Sequence, residues 1–263
     1  MSPEPDTLFD GDLLRASVFR AGRSNGALIV TFRHRVADAG DFYSPKPRQR
    51  FLDAGWTHLH IQSRCNDWFV NAETSDLCAV LADLAAGFTH RAGIGFSMGG
   101  YGVLRFSAAL ALDEVVAISP QVSIAPSVVP HDPRFRDDAA GFDPSLGDLA
   151  IHARRGLRGA VIFDPFRALD RMNADMIGAL LPDLALCRYG FGGHPAMAVL
   201  RETVGFGPLM SLVLHRKLTP QAVLALHRDN RAASPSWWRH MARRAAATGR
   251  PRLAGTALRH ARS

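Results

Sequence analysis

The sequence predicts an α/β fold, with a doubly wound, mainly parallel β-sheet covered by helices on both faces. Short apolar runs such as Ala27–Phe32 are almost continuous, as strands buried on both sides require. These runs alternate with segments whose apolar residues recur at helical spacing, which is typical of right-handed βαβ units. In the stretch 92–106, one such strand passes through a glycine-flanked serine directly into a helix. We therefore expect one large domain whose functional groups lie at the ends of the strands.

Strands are predicted wherever a short, mostly apolar run stands between turn residues. In order, they are 14–20, Ala27–Phe32, 57–62, 92–96, Glu114–Ile118, 160–163 and 184–189. Helices are predicted where apolar residues recur every three or four positions. In order, they are 50–54, a helix capped at Thr74 or Ser75, 98–110, 170–181, a helix from Pro195, 218–227, 237–247 and 253–261.

The alternation of strands and helices is interrupted once and then ends. Residues 119–159 are rich in Pro, Asp and Arg, and they predict a cap-like or lid-like insertion within a main domain of residues 1–210. No strand is predicted after about Gly207, so residues 211–263 are expected to form a basic helical extension. Small apolar residues recur there every four positions, and residues 235–262 resemble a tetratricopeptide-like hairpin.

The net charge of +7 is concentrated in the C-terminal extension. Residues 215–263 contain eleven Lys or Arg against the single acid Asp229, a net of +10, so the first 214 residues carry −3. Such a segment can contact nucleic acid, an acidic glycan or a membrane surface. A solvated face of terminal helices is the commoner explanation. A nucleic-acid partner is therefore not expected, and an acidic partner for these helices is the alternative.

Composition argues against several other classes of protein. No window approaches twenty uninterrupted apolar residues, so no membrane span is expected. The first ten residues are acidic and lack the apolar core of a secretory signal, and the three cysteines show no metal-ligand spacing. These features predict a cytoplasmic protein without a metal. No cofactor is predicted either, because Gly93-Ile94-Gly95 lacks the third glycine of a dinucleotide-binding turn.

The segment Gly95-Phe96-Ser97-Met98-Gly99 fills the G-x-S-x-G pattern of a nucleophile elbow. A serine held in a strained turn at a strand tip is approached closely by neighbouring backbone, and its flanking positions tolerate little but glycine. The turn exposes the hydroxyl to a base. The alternative is a serine in a glycine-rich turn that only packs a helix on a sheet.

A serine hydroxyl becomes a nucleophile only when a positioned base removes its proton. His194 lies in the glycine-rich stretch 190–195, directly after the last predicted strand, and it is the candidate base for Ser97. His58 and His60 alternate within a predicted strand and are expected to be sheet residues.

The third group orients the base, and in this fold class it comes between the serine and the histidine in the chain. Asp164 directly follows the strand 160–163 and is the preferred acid. Asp170 is the alternative, although it also stands where a helix N-cap is wanted. Asp132 and Asp137, in the predicted insertion, are weaker candidates.

Two backbone N–H groups are expected to stabilise the negative oxygen that forms during acyl transfer. One is that of Met98, at the start of the predicted helix. The other is expected just after the strand Ala27–Phe32, and the N–H of Phe32 or of Arg33 fits this position.

These features resemble the α/β-hydrolase family, and the resemblance covers roughly residues 14–205. More narrowly, the motifs at 97–101, 119–123 and 163–165 are similar to those of a bacterial subgroup, some of whose members are associated with surface polysaccharides or glycosyltransferase functions. This resemblance implies a serine esterase that cleaves a carboxylic ester or thioester through an acyl-enzyme. The alternatives are an acyltransferase or deacylase acting on a glycan, and a non-catalytic scaffold built on a hydrolase fold.

Overall fold

A computed structural model of the chain describes residues 5–262. Its strands are β1 (Asp6–Asp10), β2 (Leu14–Phe19), β3 (Ala27–Phe32), β4 (Thr57–Ser63), β5 (His90–Phe96), β6 (Glu114–Ile118), β7 (Arg158–Phe163) and β8 (Leu184–Arg188). They form one sheet in the order β1-β2-β4-β3-β5-β6-β7-β8. Strands β3 to β8 pair in parallel, whereas β1 and β2 join one edge antiparallel. The predicted doubly wound, mainly parallel sheet is confirmed.

The helices follow the predicted order. They are α1 (Gln49–Asp53), α2 (Thr74–Ala86), α3 (Met98–Arg105), α4 (Leu149–His152), α5 (Ala168–Leu180), α6 (Ala198–Glu202), α7 (Gly207–Leu214), α8 (Pro220–Asn230), α9 (Pro235–Ala247) and α10 (Pro251–His260). The 3-10 turn Arg231–Ala233 links α8 to α9. Among residues 5–262, none of the helices combines the length and the apolar character needed to cross a lipid bilayer.

The sheet separates two hydrophobic cores, one on each face. The first core includes buried side chains of α2, α3 and α5, such as Leu81, Val103 and Ile177. The second includes side chains of α1, α6, α7 and α8, such as Phe51 and Val223. Helices on both faces leave only the ends of the central strands accessible, and these ends are where a parallel sheet collects functional side chains.

Several local features differ from the sequence-based expectations. Helices α4 and α7 were not predicted, and α6 begins at Ala198 rather than at Pro195. Strand β1 was missed because its sequence is short and acidic; it is an exposed edge strand, where charged residues prevent pairing with another chain. Helix α3 ends at Arg105 rather than at residue 110. The N-cap of α2 is Glu73, not Thr74 or Ser75, and the Glu73 carboxylate instead accepts hydrogen bonds from the backbone N–H groups of residues 12–14.

Between β6 and β7, the chain forms turns and the short helix α4, and it contributes Val122 and Phe142 to the first core. After β8, α8 packs against that strand and α9 packs against α10. The division into residues 1–210 with an insertion at 119–159, and an extension 211–263 with a tetratricopeptide-like hairpin at 235–262, stays a prediction. Residues 1–4 of the predicted main domain and Ser263 of the predicted extension lie outside the described part of the chain.

Candidate active site

Ser97 stands at the sharp turn between β5 and α3. Its φ of 49° lies in the left-handed region that side-chain-bearing residues rarely adopt, so the turn is strained. A Cβ at Gly95 would lie 1.9 Å from the carbonyl oxygen of Gly99, and a Cβ at Gly99 would lie 2.8 Å from that of Phe32. The two glycines are therefore required by close approach of the backbone, as the motif predicts.

His194 lies beside this serine. Its Nε2 is 3.0 Å from the Ser97 Oγ, within hydrogen-bonding distance, although the two residues are 97 positions apart in the chain. The parallel sheet makes this contact possible, because β5 and β8 both end at the same edge. The other ring nitrogen, Nδ1, is 2.9 Å from Oδ2 of Asp170. An ionised carboxylate only accepts hydrogen bonds, so Nδ1 carries the proton and Nε2 is free to accept from the serine.

The acid in contact with the imidazole is thus Asp170, and the preference for Asp164 is wrong. Asp170 lies in the first turn of α5, whose N-cap is Arg167, so the N-cap interpretation of Asp170 is also wrong. Its side chain is buried and faces His194 rather than the helix end. The carboxylate of Asp164 contacts backbone N–H groups instead of the ring.

Asp164 has a different place in the site. Its Oδ1 accepts hydrogen bonds from the backbone N–H groups of Phe166 (3.0 Å) and Phe191 (3.1 Å), and its Oδ2 accepts one from Gly193 (3.0 Å). Two of these donors belong to the loop that carries His194. A buried carboxylate that accepts three amide hydrogen bonds fixes the backbone around it. Asp164 therefore holds the histidine loop in position.

Sequence reasoning missed Arg134, which lies in the segment between β6 and β7. Its Nη1 donates to Oδ1 of Asp170 at 2.5 Å, and its Nε and Nη2 donate to the two carboxylate oxygens of Asp132 at 2.9 and 2.6 Å. Asn173 donates to Asp132 and accepts from the backbone N–H of Val122. Asp132 is thus an anchor for the arginine and does not contact the histidine. No motif surrounds Arg134 in the sequence, so local pattern gave no signal for this contact.

This network changes the acidity of Asp170. Burial raises the pKa of this carboxyl, but the hydrogen bond and charge of His194, and those of Arg134, outweigh burial and hold the pKa below its usual value. The pKa of Asp132 is lowered in the same way by Arg134, against the effect of burial. Because the pKa values of both aspartates are lowered, their ion pairs stabilise the fold fully at pH values above 3.8, the pKa of an aspartate in the unfolded chain. That stability is lost as the pH falls through the folded values.

The backbone N–H groups expected to stabilise the negative oxygen differ in whether they already have a hydrogen-bond partner. Met98 is the first residue of α3, so its N–H has no partner within the helix and lies next to Ser97. The N–H of Arg33 donates to the carbonyl of Ile61 at 2.9 Å and is occupied in the sheet. The N–H of Phe32 as second donor stays a prediction. His58 and His60 are strand residues, both hydrogen-bonded to Thr31, as expected.

Comparisons with known proteins bear on the fold. The sequence matches no protein-family model, and no curated protein matches it significantly. Solved structures do match. The capsule O-acetyltransferase of Neisseria meningitidis serogroup A has a TM-score of 0.53 at 13% identity, over 79% of this chain and 93% of that chain. Est1E from Butyrivibrio proteoclasticus has a TM-score of 0.51 at 12% identity, over 85% and 99% of the two chains.

A third match is the acylaminoacyl peptidase of Pyrococcus horikoshii, with a TM-score of 0.51 at 15% identity over 82% of this chain but only 41% of the peptidase. These proteins share the α/β-hydrolase fold, and the chain described here has the same fold. The identities are too low to carry an activity from any of these proteins to this one.

The two aspartates should respond differently to removal of one carboxylate oxygen. Asp170→Asn leaves Nδ1 of His194 opposite an amide and permits the wrong tautomer, so we expect kcat/KM for a p-nitrophenyl acyl ester to fall by roughly 10³- to 10⁴-fold. Asp164→Asn keeps one acceptor oxygen for the loop, and we expect a fall of about tenfold or less, because the histidine keeps its acid. Thermal melts check that both variants are folded. Equal losses would contradict the assignment of Asp170.

Arg134 should tune the pH dependence of the reaction. In Arg134→Met, the negative charge of Asp170 is no longer shared with an arginine at 2.5 Å, although Arg167 remains at 3.8 Å. Arg134 is one of the groups that hold the pKa of Asp170 below its usual value, so its removal raises that pKa, and the acid limb of kcat/KM should move to higher pH by about 0.5–1 unit. Loss of one partner from this buried pair should also lower the free energy of unfolding by about 3 kcal/mol or more.

The matched control is Arg136→Met in the same segment. Arg136 donates only to the backbone carbonyls of Val129 and Pro130, so its removal should leave the acid limb in place. Arg134→Lys keeps one positive charge and should shift the limb less than the methionine variant. An acid limb that stays unchanged in Arg134→Met would show that the arginine acts on stability alone.

Proposed function

We propose that this protein is a serine enzyme that cleaves a carboxylic ester or thioester through an acyl-enzyme on Ser97. The observation that carries the proposal is the continuous chain of hydrogen bonds from Ser97 Oγ to His194 and from His194 to the buried carboxylate of Asp170. Such a chain is what nucleophilic catalysis by serine requires: a nucleophile, a base and a group that orients the base.

The proposed reaction uses each group in turn. His194 Nε2 removes the proton from the Ser97 hydroxyl as the oxygen attacks the acyl carbonyl. The N–H of Met98, with that of Phe32 as the predicted second donor, stabilises the negative oxygen of the tetrahedral intermediate. The imidazolium then gives its proton to the departing alcohol or thiol, which leaves the acyl group on Ser97. Water, activated by the same histidine, releases the acid and restores the serine.

Asp170 supports both half-reactions without being protonated itself. Its lowered pKa keeps it ionised at neutral pH, so it holds Nδ1–H and stabilises the transient imidazolium. Arg134 limits how strongly Asp170 stabilises the imidazolium, because the guanidinium of Arg134 donates a hydrogen bond to the same carboxylate. Asp164 keeps the loop of His194 in the position that the proton transfer needs.

A second candidate is transfer of the acyl group to a hydroxyl of a glycan. The fold match to a capsule O-acetyltransferase, which has also been solved in complex with CoA at a TM-score of 0.55 and 12% identity, supports this candidate. The first half-reaction is the same, with a thioester such as that of CoA as donor, and only the acceptor differs. A non-catalytic scaffold is disfavoured, because an inactive protein has no need for three side chains in this alignment.

A fluorophosphonate probe should label the protein at one residue. Ser97→Ala should abolish labelling, because the probe reacts with a serine activated by a base. Ser127→Ala, which removes an exposed hydroxyl in the segment after β6, should leave labelling intact. The readout is peptide mass spectrometry of the labelled site. Labelling that persists in Ser97→Ala would reject the nucleophile.

Turnover separates an enzyme from a scaffold. The wild type should hydrolyse short p-nitrophenyl acyl esters, and His194→Ala should lower kcat by roughly 10³-fold or more. Equal rates near background for both proteins would favour the scaffold. With a thioester donor and a glycan present together, mass spectrometry of the products distinguishes the two enzyme candidates: free acid indicates hydrolysis, and an O-acylated glycan indicates transfer.

A further inference from the structure

A cleft of about 390 Å³ lies at the outer edge of the sheet, beside the loop of His194. It opens between the turn after β7, the first turn of α5, the end of β8 and helix α9. We call it the arginine cleft; it is lined by Pro165, Phe166, Ala168, Arg171, Arg188 and Arg244. Three guanidinium groups and no acidic side chain line the cleft. The three arginines come from three different elements: Arg171 from α5, Arg188 from β8 and Arg244 from α9.

None of the three arginines is neutralised. Within residues 5–262, no carboxylate lies within ion-pair distance of Arg171, Arg188 or Arg244, whereas Arg134 and others are paired. Asp175, one helical turn after Arg171 on α5, does not pair with it either. Three like charges around one small space repel each other, and an anion that enters relieves this repulsion and accepts charge-assisted hydrogen bonds.

One of these arginines is held in place. The Arg244 guanidinium lies over the ring of Phe166, 4.4 Å from its centroid. Phe166 in turn stacks on Phe191, with 4.3 Å between the centroids and 19° between the planes. Phe191 belongs to the loop that Asp164 fixes. A guanidinium stacked on an aromatic ring keeps the donors in its plane free, and this is the geometry that recognises phosphate oxygens.

The position of the cleft restricts the shape of its ligand. The cleft lies at the ends of β7 and β8, which are two and three strand spacings, or about 9 and 14 Å, from β5, so a group bound in the cleft lies away from the hydroxyl of Ser97. A reactant whose phosphate is bonded directly to its acyl carbon is too short to place the phosphate in the cleft and the carbonyl at Ser97 at the same time. A reactant whose phosphate and acyl carbonyl are joined by a long, flexible arm can do so.

We propose that the arginine cleft binds the phosphate groups of an elongated acyl donor, a nucleotide thioester whose carbonyl reaches Ser97. The proposal rests on the proposed function for the identity of the reactant, but binding of the phosphates needs no catalysis. It also gives a role to one arginine of the basic C-terminal segment, Arg244, for which the sequence alone offers only an unspecified acidic partner.

The test is calorimetric titration of the full chain with CoA, which carries the phosphates but no acyl group. The variants Arg171→Gln, Arg188→Gln and Arg244→Gln should each weaken binding about tenfold or more, because each removes charge-assisted hydrogen bonds. Arg243→Gln is the matched control. It makes the same change of charge one residue away on α9, outside the cleft, and should leave the Kd within about twofold.

Two further ligands test which part of CoA the cleft recognises. Pantetheine, which lacks phosphate, should bind much more weakly than CoA, and inorganic phosphate alone should also bind more weakly. Equal affinity for inorganic phosphate and CoA would show a site for free phosphate and overturn the proposal. Absence of CoA binding, or an equal loss of binding in Arg243→Gln, would overturn it as well.

The failure of this inference is distinguishable from failure of the proposed function. Labelling of Ser97 by a fluorophosphonate, together with no binding of CoA, would retain the serine enzyme and reject the arginine cleft. Binding of CoA that depends on the three arginines, without labelling of Ser97, would retain the cleft and reject the nucleophile.

Discussion

The contact between His194 and the turn at Ser97 is the constraint on which the rest of the site depends. The two residues are brought to 3.0 Å only because β5 and β8 run parallel and end at one edge. The serine end is fixed by close backbone packing around two glycines. The histidine end is a loop, and a loop holds a side chain in place only where other groups fix its backbone.

Two aspartates after β7 hold His194 in position. Asp164 binds the backbone of the loop, and Asp170 binds the imidazole that the loop carries. The first sets where the ring lies, and the second sets which nitrogen bears the proton. Both aspartates contact the same loop: Asp164 binds the backbone N–H groups of Phe191 and Gly193, and Asp170 binds the ring of His194.

The sequence was sufficient for the parallel part of the sheet, for the turn at Ser97 and for the position of His194, because each rests on local pattern: apolar runs, glycine spacing and a glycine-rich turn after a strand. The choice between Asp164 and Asp170 was not local. It depends on which group of the later loop each carboxylate contacts, the backbone N–H groups for Asp164 and the imidazole for Asp170, and no spacing rule encodes this. Arg134 was missed for the same reason, since a buried arginine looks like any charged residue in an irregular segment.

The charges around the site follow from these contacts. One oxygen of Asp170 contacts His194 and the other contacts Arg134, so the segment between β6 and β7 is linked electrostatically to the imidazole of His194. A movement of that segment that withdrew Arg134 would leave Asp132 and Asp170 buried without their cation, which is strongly unfavourable. The segment therefore cannot open like a hinged lid at Arg134 without disturbing the acid. The arginine cleft is lined by the turn after β7, by α5, by β8 and by α9, so none of its lining residues belongs to this segment.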